Sequence, residues 1–168
     1  MSFSFIPLVD WYNVISSIDD SREGLIFKLL YHTACSESEL ISLKKKDFDF
    51  SNNKVSMRSR ISSIPERLTK EVARYTSSMK DEEFILQGRN GPISAKRIQQ
   101  IVVKRSEDIL DFKITPQEIR SMHIAHALLK NISPASISSQ AGVSYQRIAQ
   151  IMDEISVKME ERCYSYEL

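Results

Sequence analysis

The chain is short of the residues that staple small folds or hold metals. Its two cysteines, Cys35 and Cys163, lie far apart and have no histidine at zinc-ligand spacing. That excludes a disulfide framework and a zinc module, and leaves a buried thiol and a tail thiol. Neither sign of charge dominates: 23 Lys and Arg face 22 Asp and Glu, a net charge of +1. Bulk composition therefore does not announce a polyanion-binding protein, although a total can hide a local basic patch. No apolar run approaches the ~18–20 residues that a membrane span needs. The N-terminus, MSFSFIPLVDWYNV, lacks the basic flank and small-residue cleavage site of a signal peptide. The expectation is an intracellular protein of cytoplasm, nucleoid or nucleus, with no membrane partner. Repeats, low-complexity tracts and linkers are absent as well.

What is present is ordinary for one globular domain: 42% hydrophobic and 27% charged residues over 168 positions, enough to bury a core. The pattern is mainly helical. Apolar residues from Leu8 to Ile18 mark one face of a short helix, and Asp19–Asp20–Ser21 supply caps. Arg22 to Thr33 reads as a strongly apolar helix, and Ser36 with Glu39 forms a capping box for a third, Ser38 to Leu43. Residues 46–65 change character: DFDF, KVSM and RISSI read as short strands of a hairpin or small sheet. Pro65 opens the next helix, and Phe84 to Leu86 reads as a short strand before the Gln87–Pro92 turn. Ser94 caps a helix over 95–109. Pro116 opens one to Lys130, Pro134 another to Gln140, and Gly142 ends it. Ser144 caps a last helix to about Cys163.

Basic residues cluster at Lys44–Lys45–Lys46, Arg58 and Arg60, Lys96–Arg97 and Lys104–Arg105. Acidic residues gather at Asp19–Asp20, at Asp81–Glu82–Glu83 and from Asp153 to Glu161. Such segregation permits a polarised surface, and equally fits solvated helix faces.

The most informative stretch is 115–154, TPQEIRSMHIAHALLKNISPASISSQAGVSYQRIAQIMDE. It resembles the C-terminal half of a tyrosine recombinase (phage integrase) catalytic domain, in which a segment like TPHxLRHxxATxLLxxG leads through IxxxLGH to a tyrosine. Upstream, REGLIFKLLYHTACSESELISLKKKDFDF is similar to RxxLLxxLLYxTGLRxSELLxLxWxDID. SSIPERLTKEVARY and EEFILQGRNGPISAKRIQQIVVK also find counterparts in order. The resemblance runs from about Leu8 to Ile155. It implies a mainly helical α+β domain of tyrosine recombinase catalytic-domain type with a small antiparallel sheet, over 1–155, and a C-terminal helical tail, 156–168.

Cleavage through a phosphotyrosine needs a nucleophile, positive donors around the phosphate oxygens, and an acid for the leaving oxygen. Carried over position by position, the family's first arginine falls on Ser36 and its first histidine on Gln117. Arg120 matches the second arginine, Val143 replaces the second histidine, and Met152 stands for the tyrosine. The hairpin lysine has no clean counterpart beside Lys54, Arg58 and Arg60. A thioether cannot attack a phosphodiester, so the resemblance implies a catalytically inactive, degenerate member, with no catalytic residue, metal or cofactor. Tyr145, seven residues before Met152, and the tail residues Tyr164 and Tyr166 are the alternative nucleophiles; any of them would still lack a guanidinium at position 36.

SISSQAGVSYQRIAQIM also looks like a helix-turn-helix in which Tyr145, Gln146 and Arg147 face the major groove. The reading that follows is non-catalytic binding of double-stranded DNA through Lys44, Lys45, Arg58, Arg60, Lys96, Arg97, Arg120, Tyr145, Gln146 and Arg147. Arg120 has a competing role in an internal ion pair, with Glu118 or Glu39. The C-terminal helix is suited to a homodimer contact or to folding back on its own domain. The alternative function is a protein-interaction module without DNA binding. His126 and His32 read as core histidines, and the His123/His126 pair lacks a third metal ligand.

Overall fold

Most of the helices begin where a side chain satisfies a free backbone N–H of the first turn. The structure, a computed structural model, describes residues 3–166, with side-chain surroundings as far as residue 159. Helix α1 spans Leu8–Ser16. Helix α2, Ser21–Thr33, starts where Asp20 accepts from the Glu23 N–H at 2.8 Å and stops at Ala34, left-handed at φ 52°. In α3, Glu37–Ser42, the expected capping box is formed: Ser36 and Glu39 each accept the other's backbone N–H. Helix α4 spans Glu66–Tyr75 and α5 Ala95–Leu110, the latter capped by Ser94. A second capping box, Thr115 with Glu118, and Pro116 in the first turn open α6, Pro116–Leu129. Helix α7, Pro134–Ala141, ends at left-handed Gly142, and α8, Tyr145–Tyr166, follows a three-residue turn.

Between α3 and α4 lies one antiparallel sheet in the order β1-β2-β3: Phe48–Asp49, Lys54–Met57 and Arg60–Ser63. Strand β1 is short because the Asp49 carboxylate accepts the Ser51 and Asn52 N–H groups and turns the chain. Met57 pairs with Arg60 across a two-residue loop, so Val55 and Ser62 face inward while Ile61 faces solvent. The strand expected at Phe84–Leu86 is not formed. Phe84 makes a single bridge to Lys44, and Gln87 pairs only with Pro92 across its own turn. Neither has a neighbour long enough to ladder against.

The core is built around α2. Leu25, Ile26, Phe27, Leu29 and Leu30 are fully buried, each contributing about 2 kcal/mol through removal of apolar surface from water. Trp11 packs at a tilt against Phe27 and Tyr31, α6 packs against α2, and α8 packs against α6, with Ile119, Met122, Ile148 and Ile151 in the core. Helix α8 runs unbroken across residue 155. The N-terminal segment fastens it: Glu154 accepts the Phe3 N–H, and Lys158 reaches the Phe3 carbonyl and ring. As far as Lys158, then, this helix folds back on its own domain. The side chains of Cys163, Tyr164 and Tyr166 lie outside the described residues.

The histidines belong to the core. His126 accepts the Tyr31 hydroxyl at Nδ1 and donates from Nε2 to the Ile6 carbonyl, both at 2.7 Å. Burial lowers His32 and His123 to about 4, helped at His32 by Lys28 and at His123 by the neighbouring histidines and Arg60. Because these pKa values fall below the unfolded ~6.5, the unfolded chain binds more protons in acid. Their contribution is complete above about pH 6.5 and is lost as the pH falls toward 4. Unfolding free energies from denaturant titration are expected to drop between pH 7 and pH 5, by about 1.4 kcal/mol per pH unit for each proton taken up. His123→Gln should flatten that profile; an unchanged slope would remove His123 as its source.

Candidate nucleic-acid interface

The ten residues singled out in the sequence divide into three sets. Arg58, Lys96, Arg97, Tyr145 and Gln146 are exposed, on the β2–β3 loop and at the starts of α5 and α8. Their positions follow from local structure, since helix starts and a hairpin tip leave side chains in solvent. A second set is half-buried around the α7–α8 turn. Arg120 donates from Nη2 to the Ala141 and Gly142 carbonyls at 3.0 and 3.3 Å, and its buried Nε has no partner among the described residues. Arg147 donates to the Ser121 hydroxyl at 2.9 Å and to Gln150 at 3.4 Å. The third set points inward or is already paired. Lys45 donates to the Met79 carbonyl, and Lys44 pairs with Glu82 and lies over the Phe84 ring. Arg60 is the most enclosed.

Strand periodicity explains Arg60. It shares a face with fully buried Ser62, whereas the intervening Ile61 is exposed. Its guanidinium therefore enters the protein, where Nη1 donates to the Thr33 carbonyl at 3.0 Å and to Ser62 Oγ and the Gln140 carbonyl at 2.5 Å. Nη2 meets the Glu39 carboxylate at 3.2 Å, with side chains only 7% and 16% exposed. Burial alone would raise the Glu39 pKa; the Ser36 N–H and the Arg60 guanidinium outweigh it and lower the carboxyl overall. Arg120 lies within electrostatic range of the same pair. Burial weakens its hold on the proton, Glu39 opposes that, and Arg60 and Arg147 add to it. Glu39 does take part in an internal ion pair, but with Arg60, while Glu118 serves the α6 cap.

The positions aligned with the family's catalytic groups are equally plain. Ser36 caps α3, Gln117 is exposed, Val143 packs against the core from the turn, and Met152 is 44% exposed on α8. Cys35, buried beside Thr33, is a thiol pushed up to about 11 by burial and cannot serve as a nucleophile at neutral pH.

The arrangement of a three-stranded antiparallel sheet among these helices matches the fold of tyrosine recombinase catalytic domains in solved structures. No protein-family model matches the sequence. The chain is similar in sequence to XerA tyrosine recombinases: it is 28% identical to that of Thermococcus kodakarensis over 148 residues, 82% of this chain and 52% of the relative. It is 26% identical to that of Pyrococcus horikoshii over 156 residues, 86% of this chain and 54% of the relative. The chain thus spans about half the length of the curated relatives it matches. Among solved structures, the XerA recombinase crystal structure superposes with a TM-score of 0.79 at 19% identity, covering 95% of this chain and 66% of that one. The Tn1549 transposon integrase in complex with a circular intermediate DNA gives 0.75 at 15% identity, covering 96% and 66%. XerH bound to palindromic difH substrate gives 0.76 at 14%, covering 100% and 54%.

Gly142 is where the site tolerates least. Its φ is +64°, and a Cβ there would sit 2.5 Å from Arg60 Nε and 2.6 Å from Cδ. Arg60 cannot yield without giving up buried bonds. Gly142→Ala is expected to destabilise the fold by about 2–4 kcal/mol, combining left-handed strain with displacement of a buried ion. Arg60→Ala should cost about 3–5 kcal/mol by stranding Glu39. Equilibrium urea unfolding checks both, and a cost below about 1 kcal/mol for Arg60→Ala would show that its network is not a structural tie.

Proposed function

We propose that this protein binds double-stranded DNA inside the cell without cleaving it, as an architectural or regulatory factor. The observation that carries the reading is a mismatch between surface and chemistry. Basic groups remain at the α5 and α8 starts and at the hairpin tip, while position 152 holds a thioether and position 36 a hydroxyl committed to a helix cap. DNA-bound structural neighbours, the Tn1549 integrase and XerH complexes, support DNA as the partner. In this reading Tyr145, Gln146 and Arg147 at the start of α8 approach a groove in helix-turn-helix fashion, and Lys96, Arg97 and Arg58 contact phosphates. Arg120 and Arg60 hold the turn and hairpin that present them.

A second reading has its own support. Tyr145, Met152 and Met159 are all exposed, at seven-residue spacing along α8. With a net charge of only +1, an apolar line of that kind suits a protein partner or a second copy of this chain.

Binding to a short random-sequence duplex, followed against salt, separates the two. Wild-type affinity should fall steeply with ionic strength, and Lys96→Ala/Arg97→Ala should bind more weakly than wild type. Absence of binding at low salt would sink the DNA reading in favour of the protein partner.

Inactivity has a separate test. On a nicked suicide duplex, wild type is expected to form no covalent protein–DNA adduct, and Met152→Tyr alone should not restore one, because position 36 still lacks a guanidinium. An adduct with wild-type protein, mapped to any tyrosine, would overturn the non-catalytic assignment.

A further inference from the structure

One concave surface carries charge that the residues named so far do not account for. A cleft of ≈ 640 Å³ lies between the start of α2, the Gln87–Pro92 turn and the start of α5, and it is lined by Arg22, Arg89, Arg97 and Ser94. Its lining contains three guanidiniums and no carboxylate. Other cations have carboxylate partners: Arg105 pairs with Glu23, and Lys44 and Lys46 pair with Glu82. Three guanidiniums lining one hollow with no carboxylate among them favour a bound anion there.

The cleft is also shaped rather than incidental. Arg22 is held toward it by the Gln87 carbonyl at 3.4 Å. Arg89 rides the tip of a turn closed by Gly88 N–H to the Gly91 carbonyl at 2.7 Å and Ile93 N–H to the Leu86 carbonyl at 2.9 Å. Gly91, at φ +144°, allows that turn. Arg97 comes from the first turn of α5, a 16-residue helix whose Ser94 cap accepts the Arg97 N–H. The helix start adds a positive backbone end on the same side. No aromatic side chain lines the cleft, so a base would have nothing to stack on.

We propose that this cleft is a sequence-independent anchor for one DNA backbone phosphate, held by Arg22, Arg89 and Arg97 against the start of α5. The assignment rests on the DNA-binding reading and adds Arg22 and Arg89 to it. The cleft fixes the position of the duplex, while the start of α8 reads it.

The test measures the salt dependence of binding to two duplexes of unrelated sequence. It compares wild type with Arg22→Gln/Arg89→Gln, the turn-tip reversal Arg89→Glu, and Lys70→Gln, which removes a lysine already paired to Glu66 on α4. For the double variant, the slope of log K against log salt should shallow by about 0.9, one phosphate's worth of counterion release, equally on both duplexes. Arg89→Glu, an exposed change that cannot disturb the core, should weaken binding further. Lys70→Gln should leave the slope in place. If wild type binds DNA and the double variant keeps its slope, the cleft is not the anchor although the DNA reading stands. The cleft is ruled out in the same way if Lys70→Gln shallows the slope equally. A third arm titrates inorganic pyrophosphate: if both cleft variants lose it while holding DNA as wild type does, the cleft serves a free anion and the proposal fails. If wild type binds no duplex at all, the DNA reading itself falls, and this assignment with it.

Discussion

A buried guanidinium holds the sheet to the helices, and the candidate interface is arranged around it. Arg60 leaves β3, passes over Gly142, and bonds at once to the end of α2, to the last turn of α7 and to Glu39 in α3. Four elements, from α2 to α7, are thereby set relative to one another. A buried ion pair of this kind contributes little net free energy against an apolar alternative, but it fails badly when one partner is removed. What it supplies is position. The α7–α8 turn cannot shift without unmaking bonds to Arg60, and Arg120 secures the far side of the same turn through the Ala141 and Gly142 carbonyls. The start of α8 is consequently presented on a fixed support, which the proposed contact with a duplex would require.

Much of the helical framework could be read from local chemistry alone. Ser36 with Glu39, Ser94, Pro116, Pro134 with Gly142, and Ser144 each mark a terminus by a side chain that satisfies, or a ring that does not need, a free N–H. Element ends therefore agree to within a residue or two at most of these positions. Phe84–Leu86 escaped that logic because a strand depends on a partner elsewhere in the chain, and its apolar pattern records burial rather than pairing: Ile85 and Leu86 are core residues in a loop. Where regular structure depends on distant contacts, composition and period are silent.

The site was legible in its skeleton and opaque in its orientation. Arg120 lies on α6 and Gly142 ends α7, where the sequence pattern places them, and His126 is a core group, as expected. Charge alone could not tell Arg58 from Arg60, two residues apart, although one is exposed at a loop and the other buried. The available signal was the alternation of RISS: if Ile61 faces solvent, Arg60 and Ser62 face the protein. Lys44 and Lys45 were obscured in the same way, since their partners, Glu82 and the Met79 carbonyl, lie more than thirty residues downstream. Arg22 and Arg89 were missed for the converse reason. Each is isolated in sequence, and only the folded chain brings them beside Arg97.

Near-neutral net charge argues less against a DNA-binding surface than it first suggests. At physiological ionic strength exposed charges separated by more than about 8 Å are largely screened from one another. A phosphate at the start of α5 therefore responds to Arg22, Arg89 and Arg97, and hardly at all to acidic groups on distant faces. The negative charge is also placed where it does least harm to such a contact. Glu23, Glu71 and Glu82 neutralise particular cations, and Glu39 is buried against Arg60. What decides binding is how many cations are left unpaired on one surface, and in what geometry. In this fold that number is set by which arginines the helix starts and the Gln87–Pro92 turn hold out toward solvent, a requirement independent of whether residue 152 carries a hydroxyl. On the proposed reading, the fold can do without a nucleophile at position 152 and still present a phosphate-binding face, because different residues would carry the two.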